Sequence, residues 1–200
     1  MSISKTRQTL VDVARQLFAK KGVVNTTMND IAKSSGKGRR TLYTYFNRKE
    51  EIVYAVIESE LDRLSDKMDE VANKNKPPQD IELIYTHLMM IRETVVRNGN
   101  LRAEFFRNIW MVEKVRKNFD EEEIELFKGV YSKGKANGDF DIENVDLVAE
   151  ITHYCIKGLE VPFICGRLGH GLTEESSKPL VAKVVYGALG KAGVKLDTNR

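Results

Sequence analysis

Apolar residues recur at intervals of three and four through almost the whole chain, the spacing that lines them up on one stripe of an α-helix. Leu10, Val13, Ala14, Leu17 and Phe18 form the first stripe; Val53, Val56, Ile57, Leu61, Leu64, Met68 and Val71 form a longer one. Alternating runs of four or more residues are missing, and no Asn-Gly or Asp-Gly joins two β-branched segments, so strands and hairpins are not expected. No repeat of fixed period is present, which argues against a solenoid.

The punctuation between stripes orders the helices. Gly22 is placed to cap the first helix, and Thr26 or Thr27 can cap a short second one through about Ser34, with Ile31 and Ala32 turned inward. Ser35-Gly36-Lys37-Gly38 is turn chemistry. A third short helix runs from Arg39 to about Tyr45, and Asn47 caps a long fourth one that ends in the 73–78 stretch. Further helices are expected over about 78–98, 101–111, 118–136, 144–167 and 175–192. Within 144–167, Pro162 would clash with the Gly158 carbonyl, so a kink there or an end near Glu160 is expected. The result is an all-α chain of about nine helices, with a three-helix head over 1–47 and a larger helical body over 48–200.

Composition adds exclusions. With 42% hydrophobic and 30% charged residues, the chain lies in the globular range rather than the disordered one. No apolar run approaches the roughly 18 residues of a membrane span, and the first residues lack the apolar block of a signal peptide, so a cytoplasmic location is expected. Cys155 and Cys165 match no zinc or redox spacing and read as small apolar residues in a reducing compartment.

The net charge of +3 conceals a division. Residues 1–50 hold eleven Lys/Arg against three acids, and the other 150 hold 21 basic and 26 acidic residues. A basic head that meets a polyanion and an acidic body with another task is the expectation.

Residues 27–46 have the makings of a helix-turn-helix: a short capped helix, a glycine-containing turn and a second short helix. At about 100° per residue, Leu42 and Phe46 define the inward face of the second. Arg40 and Thr44 then point away, Thr41 and Tyr43 flank them, and Arg39 can swing outward from the first turn. Guanidinium groups on such a face suit guanine O6 and N7, while hydroxyls and Lys49 suit phosphates.

Thr26-Thr27-Met28-Asn29-Asp30-Ile31-Ala32, Gly36, Thr41-Leu42-Tyr43-Thr44-Tyr45-Phe46 and Lys49-Glu50-Glu51 resemble the N-terminal DNA-binding domain of the TetR family of bacterial transcriptional regulators. Ala14-Arg15-Gln16-Leu17-Phe18-Ala19-Lys20-Lys21-Gly22 is similar to that family's first helix. The resemblance is one of motif over the first quarter of the chain and one of helix count and order beyond it. It implies that Arg39, Arg40 and Tyr43 read base edges and that Thr27, Thr41, Tyr45 and Lys49 meet phosphates, to which the charge of Lys37 adds a further phosphate contact; packing on the fourth helix is the alternative for Tyr45. Two positions depart from the family pattern: Gly38 stands where a Ser usually caps the recognition helix, and Lys37 replaces an apolar residue.

For the body, the resemblance implies a small-molecule site and a homodimer built from the last two long helices of each subunit. Val148, Thr152, Ile156, Leu159, Leu180, Val184, Val185 and Ala188 are the interface candidates, on stripes that burial within one subunit would also use. His87, Phe105, Phe106, Arg107, Trp110, His153 and Tyr154 are the pocket candidates, with ordinary packing as the competing account.

Other motifs carry little. Gly129-Val130-Tyr131-Ser132-Lys133-Gly134-Lys135 begins like a phosphate-binding loop, but Ala136 stands where Ser or Thr must hold magnesium. Asp120-Glu121-Glu122-Glu123 reads as the acidic start of a helix. No histidine spacing suggests a metal, no cofactor is expected, and no nucleophile–base set suggests an enzyme. The expectation is a ligand-responsive repressor that binds a palindromic double-stranded DNA operator as a homodimer, answers to an unidentified small-molecule effector and has no membrane partner. The alternative is a helical protein-interaction module whose basic head binds acidic surfaces.

Overall fold

The computed structural model describes residues 4–73, 80–97 and 109–164, together with Pro179 and Val184. These form seven helices: α1 (Lys5–Lys21), α2 (Met28–Ser34), α3 (Arg39–Tyr45), α4 (Lys49–Ala72), α5 (Asp80–Arg97), α6 (Ile109–Asn137) and α7 (Val145–Ile164). No extended strand occurs among the described residues, and no helix among them is long and apolar enough to cross a membrane.

One helix boundary differs from expectation. The break expected between 111 and 118 is absent, because α6 runs unbroken from Ile109 to Asn137. Residues 112–117 contain no Gly, Pro or capping side chain, and Glu, Lys and Arg there favour helix. The acidic run at Asp120 therefore lies inside a helix rather than at its start, as does the loop-like stretch at Gly129. The helix expected over 175–192 and residues 101–108 lie outside the described residues. In α7, Pro162 neither ends the helix nor moves its end to Glu160; helical structure continues to Ile164.

By its packing the chain divides into two units, Met1–Arg63 with Glu93–Asn118, and Leu64–Arg92 with Phe119–Arg200. In the first, α2 packs on both α1 and α3. Leu10, Val11, Ala14 and Phe18 of α1 are buried with Ile31, Ala32, Leu42, Phe46 and Val53, whereas Val13 and Leu17 are half-buried. Gly22 ends α1 at φ 82°, a conformation that favours glycine, and its N–H reaches the Phe18 carbonyl at 2.9 Å. The Arg7 guanidinium lies 5.3 Å above the Phe46 ring and pairs with Glu58 at 3.7 Å.

In the second unit, Phe127, Tyr131 and Phe140 form a buried aromatic cluster with centroids 5.8 and 5.9 Å apart. The Tyr131 hydroxyl meets Thr152 Oγ1 at 3.0 Å, so its polar end is satisfied. The turn after α6 uses Gly138 at φ 76° and returns the Asp139 N–H to the Gly134 carbonyl at 2.8 Å. This folds Phe140 against Gly134, where a Cβ would lie far inside contact with the ring. Gly134→Ala should therefore overpack a closed cluster and lower stability by about 1–3 kcal/mol, read as a fall in the urea midpoint. An unchanged midpoint would show that the Phe140 ring moves aside freely.

Candidate nucleic-acid interface

The exposed face of α3 is set from below by its neighbours. Thr27 caps α2 reciprocally: its hydroxyl oxygen accepts from the Asp30 N–H at 3.1 Å, and its own N–H donates to Asp30 Oδ2 at 2.8 Å. Lys21 Nζ donates to the same carboxylate at 2.9 Å. That ammonium, then the Thr27 N–H and hydroxyl, hold the Asp30 carboxyl well below the usual carboxylate range.

The far end of α2 closes as a Schellman motif. The Gly36 N–H reaches the Lys33 carbonyl at 3.3 Å, the Lys37 N–H reaches Ala32 at 3.2 Å, and Gly36 has φ 65°. An apolar residue often follows such a turn and packs back on the helix; here it is Lys37, and it is exposed. Gly38 then begins α3 with no side-chain cap.

On α3, Leu42 is fully buried and Phe46 nearly so, which turns Arg39, Arg40, Tyr43 and Thr44 to the outside. Thr41 is half-buried. With Lys37, these residues give an exposed basic and aromatic surface on α3 and the turn before it. The Tyr45 hydroxyl, 3.0 Å from Ser4 Oγ, ties the end of α3 to the residue before α1. Lys49 has a role that the sequence did not reveal. Its ammonium donates to the Val23 and Thr26 carbonyls at 2.7 and 3.0 Å, closing the loop between α1 and α2. The Thr27 hydroxyl likewise donates inward, to Asp30 at 2.8 Å.

The second unit holds a buried ionic network. His87 of α5 contacts Glu123 of α6 through Nδ1 and Glu160 of α7 through Nε2, the latter at 2.7 Å. Glu123 also receives His153 Nδ1 of α7 at 2.6 Å. Both imidazoles are fully buried, and Phe119 stands against the His87 ring at 5.8 Å. Burial pulls the His87 pKa down, but the attraction and hydrogen bond of Glu123, joined by Glu160, outweigh it and raise the value from 6.5 to about 9. Burial raises the Glu123 carboxyl, yet the His87 charge overrides this and leaves it lowered. His153 Nε2 is buried without a hydrogen-bond partner, 3.8 Å from Asp120, whose other oxygen is held by Lys157 at 2.7 Å.

Two pocket candidates, His87 and His153, are thus brought together. Phe105, Phe106, Arg107 and the side chain of Trp110 lie outside the described residues. Tyr154 is corrected: at 63% exposure it stands on the outside of α7, its ring edge-on to His153. Of the interface candidates on α7, Leu159 is exposed. Ile156 is buried inside its own subunit, Val148 and Thr152 are half-buried, and Thr152 donates to the Val148 carbonyl at 2.8 Å. Leu147, Ile151, Tyr154 and Val161 form an outward apolar stripe, and Leu159 is exposed on another side of the helix. His153 and Glu160 share the buried face of α7 with Ala149 and Ile156, where they meet Glu123 and His87. Val184 is exposed, and Leu180, Val185 and Ala188 lie outside the described residues.

His87 generates a pH prediction. A histidine whose pKa is raised from 6.5 to about 9 on folding contributes stability that is fully present below pH 6.5 and is lost as the pH rises through 9. The urea midpoint of the second unit should fall across that window, and His87→Gln should flatten the fall. A midpoint independent of pH there would mean that His87 is neutral when folded.

The comparisons with known proteins agree with this geometry. Residues 10–56 match the family model described as bacterial regulatory proteins, tetR family. An HTH-type transcriptional regulator of Staphylococcus aureus strain USA300 is 43% identical over 58 residues, which is 29% of this chain and 31% of the relative. The match therefore spans under a third of that relative's length. Over nearly the whole fold, a transcriptional regulator from Cytophaga hutchinsonii is similar at TM-score 0.67 and 25% identity, covering 92% of this chain and 96% of its own. The fatty acid degradation regulator FadR from Bacillus halodurans is similar at TM-score 0.63 and 18% identity, covering 98% and 99%. The flavonoid-responsive regulator FrrA has TM-score 0.64 and 19% identity, with 93% and 97% covered. The head, residues 10–56, thus matches the tetR family of bacterial regulatory proteins, and the fold through the remainder is similar to that of a known transcriptional regulator.

Proposed function

We propose that this chain binds double-stranded DNA sequence-specifically as a homodimer and acts as a repressor released by a small-molecule effector. The observation that carries the reading is the outer face of α3, where Arg39, Arg40 and Tyr43 are exposed above the buried Leu42 and Phe46. A helix so backed can enter a major groove, where guanidinium groups bond guanine O6 and N7. Lys37, Thr27, Thr41, Tyr45 and Lys49 are the proposed phosphate contacts. For Thr27, Tyr45 and Lys49 this means sharing polar groups that already serve intramolecular bonds.

The apolar stripe Leu147, Ile151, Tyr154 and Val161 supports a two-fold interface, since a row of large apolar side chains on one outer helix face is costly to leave in water. A dimer presents two copies of α3, which fits half-sites about 34–36 Å apart. For effector response, the proposal is a population shift. The effector binds in the second unit, with His87 and His153 supplying polar contacts, and displaces α4, so that one operator spacing no longer suits both copies of α3. The structurally similar flavonoid-responsive and fatty acid degradation regulators support such a use of the fold.

Selection of bound duplexes from a random pool at a stated salt concentration tests the DNA reading. A palindromic consensus is expected, with affinity falling steeply as salt rises. Arg40→Glu should weaken binding to that consensus roughly ten- to a hundredfold. Recovery of unrelated sequences would favour a basic head that meets acidic surfaces in general. The interface is tested separately: Ile151→Glu should sediment as a folded monomer where the parent chain is a dimer, and a dimeric variant would move the interface elsewhere.

A further inference from the structure

Thr44 shares the outer face of α3 with Arg40, four residues earlier, and the burial of Leu42 and Phe46 fixes that rotation. Its hydroxyl donates to the Arg40 carbonyl at 3.0 Å. The single hydroxyl proton is thereby used within the helix, and the side chain is held in one rotamer. What Thr44 offers outward is its methyl group. In a major groove, the complementary feature is the 5-methyl of thymine, the only base-edge group there that is apolar.

Resting on the DNA reading above, we infer that Thr44 is a specificity residue whose methyl group packs on the 5-methyl of a thymine in the operator. Four residues of helix advance about 6 Å, and stacked base pairs are about 3.4 Å apart. The thymine therefore lies about two base pairs from the base that Arg40 reads. The two residues form one reading unit: the carbonyl of Arg40 orients Thr44, and their side chains address positions about two base pairs apart by different chemistry, charged hydrogen bonds at one and apolar contact at the other.

The test uses the full chain, its Thr44→Ser variant and the duplex recovered from the random pool, with each thymine replaced in turn by uracil. Uracil keeps every hydrogen-bonding group and removes only the methyl. The parent chain should lose about three- to fivefold in affinity at one position. Thr44→Ser keeps the hydroxyl; it should bind the thymine and uracil duplexes equally, near the parent's affinity for uracil, while retaining the parent's preference for guanine at the Arg40 step. That retained preference separates a lost methyl contact from a misfolded head. If no thymine in the half-site responds to uracil, or if Thr44→Ser shows the parent's ratio, the inference is overturned. A pool that yields no consensus overturns the DNA reading itself, and this inference with it.

Discussion

The outward face of α3 depends on something α3 cannot supply for itself. Seven residues are too few for an isolated helix to be stable in water, because nucleation costs more than so few hydrogen bonds return. Both α2 and α3 have this length, so they persist through burial of Ile31, Ala32, Leu42 and Phe46 in the first unit. Tertiary burial fixes their rotation as well as their existence. Once Leu42 and Phe46 are inside, Arg40 and Thr44 have no other direction to face. The local hydrogen bonds then set the angles of approach: the Thr27–Asp30 box starts α2, the Schellman turn stops it, and Lys49 holds the preceding loop by its carbonyls.

The N-terminus of α3 is the exception. Gly38 has φ −65° and ψ 152°, a conformation any residue adopts, and a Cβ there would meet nothing within 4 Å. No backbone requirement calls for glycine, and a Ser would add a cap worth a few tenths of a kcal/mol. The first turn of α3 is therefore less tied down than that of α2, and its unbonded N–H groups remain available to an anion. Beside the exposed Lys37, Arg39 and Arg40, this suits an element whose ordering is completed by a phosphate backbone.

The head was readable from sequence because its chemistry is local. Thr27, Gly36, Leu42 and Phe46 act through neighbours within a few residues, and spacing alone exposes them. The structural role of Lys49 stayed hidden because its partners, Val23 and Thr26, are backbone carbonyls, which carry no signature in a sequence. The second unit was harder for a different reason. His87, Glu123, His153 and Glu160 come from three helices, and each looks like a surface residue until its partners are known. On α7 the polar His153 and Glu160 are buried beside Ala149 and Ile156, while the apolar Ile151 and Tyr154 stand outside. Periodicity identifies that a helix has two apolar sides; only the buried polar partners decide which side is interior.

The two units also place their charges in opposite dielectric settings. Arg39, Arg40 and Lys37 stand in water, where salt screens them within about 10 Å at 0.1 M. His87 with Glu123 and Glu160 is enclosed, where screening is weak and removal of one partner strands an uncompensated charge. Ionic strength should therefore act on the reading surface while leaving the fold of the second unit nearly untouched. Protonation acts in reverse, on the buried histidine rather than on guanidinium groups that stay charged at every physiological pH. Exposed cations and enclosed pairs therefore answer to different variables, the former to ionic strength and the latter to protonation.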